Sequence, residues 1–456
     1  MRAPRTDRGR LLLVFVLAAA VTVFTATVPL LRDWFDLRVY HGALDNWVHR
    51  GGRLYDYRVP GTPYGFTYPP FAAVAMAPMA LLDLRTAIAV ALLLDLAALA
   101  LVLRVLAGPA RPRHGWYGWA LVACALALFE PLRDTVSFGQ VNVLLLALVL
   151  ADAWLLTTGR ARWAGAGIGL AAAVKLTPAL FIGLLLVARR WRAAAVATAV
   201  AAGATALAAR IAPDASRFYW TEAMWDTTRI GRLDYVSNQS LQGVLARLGE
   251  TDHAVWAAVV LPVLGVWAWR ARRAAAAGDW TAAFALTGLA ACLVSPITWV
   301  HHLVWLLPSF AVLVRAGRPR VAGGLYAVLC TSVVWLWSDD PSGVDGFLGS
   351  NAYTWVALGL LLWLPAGHSR GRRLSASSSS SATALTPSPT APAIVPAPPD
   401  RPGRSDRPAD AATVAAAAPP ASGPGHGRGR SASSEPTGST RPAAPNPQSS
   451  SERASS

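Results

Sequence analysis

Leu11-Leu12-Leu13-Val14-Phe15-Val16-Leu17-Ala18-Ala19-Ala20-Val21-Thr22-Val23-Phe24-Thr25-Ala26-Thr27-Val28-Pro29-Leu30-Leu31 runs directly into Arg32-Asp33-Trp34-Phe35-Asp36-Leu37-Arg38-Val39-Tyr40-His41. The first part carries no charge and has the ~20-residue length that a helix needs to cross a hydrocarbon core. The second part packs carboxylates, arginines and aromatics against the end of that crossing. It continues through Gly51-Gly52-Arg53-Leu54-Tyr55-Asp56 to Phe66-Thr67-Tyr68-Pro69-Pro70-Phe71. A plain connection between crossings is shorter and blander. This one reads as half of a site for a polar substrate at the bilayer surface. The basic segment before the run (Arg2, Arg5, Arg8, Arg10) resembles a signal peptide, but the apolar part exceeds the ~7–15 residues of a signal core, so an uncleaved anchor is expected.

Composition agrees with the opening run. Of the 456 residues 54% are hydrophobic and only 14% are charged. Further apolar blocks lie at 87–105, 141–156 and 193–209. Inside lipid every backbone polar group must be paired, so long blocks without strand alternation are helices. The fold class is therefore an all-α polytopic membrane protein. The net charge of +16 suggests nucleic acid at first sight, but the arginines sit at block ends: Arg104, Arg111 and Arg113; Arg189, Arg190 and Arg192; Arg270, Arg272 and Arg273; Arg315, Arg318 and Arg320. That placement is the positive-inside signal, and no nucleic-acid partner is expected. Cys124, Cys292 and Cys330 lie apart inside apolar blocks, which indicates neither a disulfide framework nor a zinc motif.

The arginines set the expected orientation in a cell membrane. Residues 11–31 go out, 32–70 form an extracytoplasmic loop, 87–105 return, 116–129 go out, and 141–156 return. The later blocks 193–209, 255–269, 282–296, 303–314, 321–337 and 353–364 alternate in the same way. Ten crossings are expected. The count is twelve if residues 165–187 form a hairpin of two short helices broken at Lys175-Leu176-Thr177-Pro178. Residues 71–82 are too short for a comfortable crossing. Residues 1–367 form the membrane domain. Residues 368–456 are rich in serine, proline and alanine, and such a segment buries too little apolar surface to offset its ordering entropy, so a disordered cytoplasmic tail is expected.

On this map the polar residues gather at the extracytoplasmic face. They comprise the 32–70 loop, the 130–142 turn with Gly139-Gln140-Val141-Asn142, the 210–249 loop with Ser237-Asn238-Gln239-Ser240, and Ser295-Pro296-Ile297-Thr298-Trp299-Val300-His301-His302. ATP and nucleotide sugars are absent there, and no Walker or dinucleotide glycine motif occurs. A transferase at that face must take its activated group from a lipid carrier. Asp95 and Asp152 lie within apolar runs and have no evident partner.

Six motifs occur in series: Asp36-Leu37-Arg38-Val39-Tyr40, Gly52-x-Leu54-Tyr55-Asp56, Phe66-Thr67-Tyr68-Pro69-Pro70-Phe71, Gly139-Gln140-x-Asn142, Lys175-Leu176-Thr177-Pro178 and Ser295-Pro296-Ile297-x-Trp299-x-His301-His302. Together they resemble the bacterial polyprenyl-phosphate-mannose-dependent α-(1→2)-mannosyltransferases, glycosyltransferase family 87, over about residues 11–364. Val300 departs from the polar residue that many relatives carry there. The resemblance implies the multi-span GT-C architecture, a lipid-linked mannose donor, a glycolipid or lipoglycan acceptor of actinobacterial type, and inverting single displacement.

Asp36 is the expected general base, by the chemistry of a carboxylate beside an attacking hydroxyl and by its match to the family's aspartate motif. Asp33 competes if the turn continues into one helical face. One of His301 and His302 is expected to face the site, since neighbours on a helix point ~100° apart. Lys175 is the only lysine, inside an apolar run, and suits a leaving phosphate. Arg38 is a second phosphate or sugar-hydroxyl candidate. Tyr40, Tyr55, Tyr68, Gln140, Asn142, Asn238, Gln239 and Trp299 complete the expected substrate-binding set, although interfacial anchoring is the commoner role for any one aromatic among them. No metal or cofactor is expected beyond the lipid-linked donor. Two alternatives remain at this level: another polyprenyl-phosphate sugar, such as arabinofuranosyl or glucosyl, on the same scaffold, or a lipid-sugar flippase. A flippase would need polar residues through the midplane and paired repeats.

Overall fold

The structure, a computed structural model, describes residues 6–27, 33–107 and 115–367. The expected tail at 368–456 lies outside the described residues. Those described are helical, with no strand among them. Four helices are long and apolar enough to cross a membrane alone: Asp7–Thr27, Leu84–Ala107, Trp191–Ile211 and His253–Ala276. The other expected crossings are shorter apolar helices, among them Asn142–Thr157, Trp280–Val294 and Ala352–Trp363, or are broken. The protein is a multi-pass membrane protein built partly from helices too short to cross singly.

Trp280–Val294 is the centre of this bundle. Asp279 caps it, accepting the Ala282 N–H at 3.0 Å, and Ser295-Pro296 ends it. Almost every one of its residues is buried, which is why its sequence is apolar all round instead of striped. Its one polar side chain in mid-helix, Thr287, accepts the Trp267 indole N–H at 2.9 Å.

Two breaks shape the site. The first lies where the Lys175-Leu176-Thr177-Pro178 motif predicts it. The helix Ala166–Val174 ends with Lys175 in extended conformation, and the chain resumes through a single 3-10 turn into Leu180–Val187. Pro178 removes a backbone donor and clashes with the preceding turn, so the helix cannot run through. Ala166–Val174 lies very close to Trp191–Ile211. A Cβ on Gly165 would stand 2.1 Å from the Ala193 carbonyl oxygen, and one on Gly169 would stand 2.4 Å from that of Ala197. Small residues four apart let two helix backbones touch in this way. Asp152 finds its role here: its carboxylate accepts the Ile168 N–H at 2.7 Å, capping the start of Ala166–Val174 from the neighbouring helix.

The second break corrects an expectation. Residues 130–142, read as a turn, contain the helix Glu130–Phe138, which leaves Gly115–Leu128 at a 72° bend. Pro131 sits in its first turn, and Gly139 closes it at φ 70°. Glu130 is fully buried. Its carboxylate accepts the Trp335 indole N–H at 2.7 Å and also the Tyr353 hydroxyl. Those two donors explain why a charged residue lies inside and not in a loop.

The first loop is also more ordered than a loop. Phe35–His49 is a helix, and the chain after it folds back as Leu54, Tyr55, Phe66 and Tyr68 to build a small separate core with Tyr40 and Tyr219. His41 Nε2 and the Leu82 carbonyl oxygen, 2.8 Å apart, tie this unit to the chain entering Leu84–Ala107.

Candidate active site

Asp33 and Trp34 both take left-handed backbone, φ 49° and 48°, immediately before the helix Phe35–His49. This is a costly conformation for residues with a Cβ, and it separates the two aspartates. Asp33 turns outward and pairs with Arg38 at 2.5 Å, with both side chains exposed. Asp36, one residue inside the helix, turns inward. The turn that would have placed both on one face does not continue, and Arg38 points away with Asp33.

From Asp36 a line of hydrogen bonds crosses the site. Gln140 Nε2 donates to Asp36 Oδ2 at 2.6 Å. Gln140 Oε1 accepts the Tyr68 hydroxyl at 2.5 Å, and the Tyr40 hydroxyl donates to that of Tyr68 at 2.9 Å. Lys175 Nζ lies 3.4 Å from the same hydroxyl and 5.1 Å from the Tyr68 ring centre. It donates to Asn142 Oδ1 at 3.0 Å and meets His302 Nε2 at 2.8 Å. His302 Nδ1 accepts the Trp299 backbone N–H at 3.2 Å. Residues 36, 40, 68, 140, 142, 175 and 302, far apart in sequence, form one connected network.

Each element has a reason to deliver its side chain. Lys175 is free to turn into the site because the helix ends at it. Gln140 and Asn142 follow the Gly139 turn that closes Glu130–Phe138. The paired histidines begin the 3-10 segment Val300–Leu306. His302 faces Lys175, whereas the His301 ring packs on Phe138 (5.1 Å) and on His302 (4.7 Å). The His301 carbonyl is held by Thr135 Oγ1 at 2.9 Å and Asn142 Nδ2 at 3.3 Å. Thr135 was not among the expected residues, since nothing in a turn reading marks it.

Asp36 lies outside the membrane-crossing helices. Burial pushes its carboxyl up from the ordinary value to about 6, against the opposing effects of the Gln140 hydrogen bond and the Lys175 charge. A carboxyl raised to that value is still a carboxylate at neutral pH and is a stronger proton acceptor than an exposed one.

The remaining expected residues take other places. Tyr55 is buried, donates to the Tyr68 carbonyl at 2.7 Å and stacks on Tyr219 (5.8 Å), so it supports the site from behind. Asn238 and Gln239, expected as sugar ligands, lie beneath the site and are fully buried. Asn238 donates to the Leu233 and Pro296 carbonyls and accepts the Thr298 N–H at 2.8 Å. Gln239 donates to the Val236 and Ser350 carbonyls, both at 2.7 Å, and accepts from Thr354. Both amides serve the backbone; neither faces an open site. Trp299 is half-buried at the edge.

Beside the network opens a cavity of about 640 Å³. Tyr40, Gln140 and Gly139 line one end, and Leu94, Leu148 and Ala151 line the wall between Leu84–Ala107 and Asn142–Thr157. Its lining is apolar apart from Gln140, the Tyr40 hydroxyl and Asp95. A polar head at Asp36 and Lys175 with a hydrocarbon chain in the cavity fits this shape. The arrangement holds a carboxylate and a lysine on one hydrogen-bonded line beside an apolar cavity.

Residues 66–296 match glycosyltransferase family 87. The polyprenol-phosphate-mannose-dependent alpha-(1-2)-phosphatidylinositol mannoside mannosyltransferase of Mycobacterium tuberculosis is 34% identical over 390 residues, which is 79% of this chain and 87% of that protein. The polyprenol-phosphate-mannose-dependent alpha-(1-2)-phosphatidylinositol pentamannoside mannosyltransferase of Mycolicibacterium smegmatis is 35% identical over 355 residues, 73% of this chain and 84% of that protein. No solved structure matches.

Proposed function

The chain belongs to glycosyltransferase family 87, and from that premise we propose that it moves a mannosyl residue from a polyprenyl-phosphate carrier to a phosphatidylinositol mannoside or related glycolipid, forming an α-(1→2) linkage. The observation that carries this reading is the hydrogen-bonded line from Asp36 through Gln140 and Tyr68 to Lys175.

Asp36 accepts the proton of the acceptor hydroxyl as its oxygen attacks C1 of the donor mannose. The C1–O bond to phosphate breaks on the opposite face, so the configuration inverts, and the electron pair leaves with the polyprenyl phosphate. Lys175, held by Asn142 and His302, lies where the charge of that phosphate grows. A fixed cation in a site shielded from water stabilises such charge strongly. Gln140 keeps the Asp36 carboxylate aimed, and Tyr68 fixes the spacing between base and cation. Lys175 supplies the positive charge, so the reaction needs no metal. The active site opens to the extracytoplasmic side, where the lipid-linked donor is the available activated sugar.

The test uses membranes containing the full chain, labelled polyprenyl-phosphate-mannose and phosphatidylinositol mannosides, with and without EDTA. Transfer to the 2-hydroxyl of a mannose is expected in both conditions, and Asp36→Asn removes it. Transfer from polyprenyl-phosphate-arabinofuranose instead, or complete loss with EDTA, counts against the reading.

A further inference from the structure

A second and larger cavity, about 1240 Å³, opens between Leu84–Ala107 and Asn142–Thr157 at the ends of those helices away from the network. Both helices start near the site: the Leu82 carbonyl meets His41, and Asn142 accepts from Lys175. Arg104 stands twenty residues beyond Leu84, ~30 Å along the axis. The charged end of this cavity is thus about a hydrocarbon thickness from the start of the helix. Its volume exceeds the ~300–1,000 Å³ that suits a small ligand.

Its walls are mostly apolar and its charge is of one sign. Arg104 and Arg315, both exposed, line it with Trp119, Trp154 and Trp280, and no carboxylate among the described residues does. Arg315 donates to the Leu106 carbonyl at 3.5 Å, which brings its guanidinium to the turn that carries Arg104. Two more guanidiniums stand on the tryptophans of the lining: Arg160 over Trp154 at 5.2 Å and Arg190 over Trp280 at 5.1 Å. The carboxylates nearest in sequence are engaged by backbone, Asp152 by the Ile168 N–H and Asp279 by the Ala282 N–H. Among the described residues Arg104, Arg160 and Arg190 form no ion pair. Arginines at helix ends are ordinary in membranes. Guanidiniums gathered around an apolar cavity that no acid lines are not, because their mutual repulsion goes unrelieved. A phosphodiester relieves it, since the guanidinium fork pairs with phosphate oxygens, and an acyl chain matches the walls. Leu101 and Ala151 line both this cavity and the one beside Gln140, so the apolar lining reaches inward from the arginines.

We infer that this cavity binds an anionic glycerophospholipid of the surrounding bilayer, its phosphate between Arg104 and Arg315 and an acyl chain along Leu101 and Ala151. Basic pockets between membrane helices take anionic headgroups in this way. Arg160 and Arg190 stand close enough to repel a choline cation, so a lipid of net negative charge is selected over a zwitterionic one.

The test is native mass spectrometry of the purified, delipidated full chain, titrated with phosphatidylglycerol or with phosphatidylcholine of the same acyl chains. The wild type is expected to retain phosphatidylglycerol at about tenfold lower concentration than phosphatidylcholine. Arg104→Gln raises the concentration needed for phosphatidylglycerol about fivefold, the effect of one charge at a headgroup, and leaves phosphatidylcholine unchanged. Arg104 is exposed, so its replacement leaves the fold intact, and Arg104→Lys, which keeps the charge, stays near the wild type. Arg272→Gln removes the same charge from an exposed position near the end of His253–Ala276 and changes nothing. Equal retention of the two lipids by the wild type overturns the site, as does an equal loss in Arg272→Gln and Arg104→Gln. Displacement of the lipid by free glycerol phosphate would make it an anion site without a lipid, and a lipid-free dimer would make it a contact between two copies; either result overturns the inference. Neither donor nor acceptor is present, so failure of the transferase reading leaves this measurement unaffected.

Discussion

Asp36 and Asp33 are three residues apart and chemically identical, and the backbone decides between them. Two left-handed residues turn Asp33 out to Arg38 and start a helix that turns Asp36 in. Asp36→Asn is expected to lower turnover by ~10²–10⁴, the usual loss for a general base, while Asp33→Asn stays near wild type. The pH profile follows from the raised carboxyl. The base works as a carboxylate, so kcat/KM is constant above about 6 and falls as pH drops through that value. Gln140→Leu removes a hydrogen bond that favours the charged form, so the limb moves to higher pH in that variant. A limb that stays in place in Gln140→Leu disconnects it from Asp36. At this scale the sequence was legible where a residue is out of place for its surroundings: the lone lysine in an apolar run, the acid at a membrane edge. It was not legible for Asn238 and Gln239, because a side-chain amide that binds backbone is indistinguishable in sequence from one that binds sugar.

Among the elements, the predicted break at Lys175 was legible because proline and a lysine inside an apolar run both argue against an unbroken helix. The helix Glu130–Phe138 was not. Its length suits a turn, and only the buried partners of Glu130, more than two hundred residues away in sequence, reveal it. Glu130→Ala leaves the Trp335 and Tyr353 donors buried without an acceptor, at a cost of ~1–3 kcal/mol each. The variant is expected to melt at a lower temperature in detergent and to lose transfer in proportion to the folded fraction, with unchanged KM for the molecules that remain folded. Glu130→Gln, which keeps an acceptor oxygen, loses less. An unaltered melting curve for Glu130→Ala would show that the helix is held by something else.

For the molecule as a whole, sidedness is the property on which the donor argument depends. The arginine pattern predicts residues 32–70 outside and the connection after Leu307–Arg315 inside. Both Asp56 and Ala316 are exposed. With Cys124 and Cys330 replaced by alanine and Cys292 buried, Asp56→Cys is expected to react in intact cells with a membrane-impermeant thiol reagent. Ala316→Cys should react only after the membrane is opened. The reverse result would put Asp36 and Lys175 where nucleotide sugars are available and remove the reason for a lipid-linked donor.

The line from Asp36 to His302 also has a consequence in time. Its contacts join residues separated by 104 positions at Gln140 and Asp36, and by 127 at Lys175 and His302. During synthesis the carboxylate emerges first, the cation much later, and the histidine that steadies the cation later still. Contacts of such long sequence separation form late because loop closure must precede them. A growing chain thus carries its carboxylate, its lysine and its histidine in separate pieces, and the hydrogen-bonded line is complete only after the 3-10 segment carrying His302 has been made.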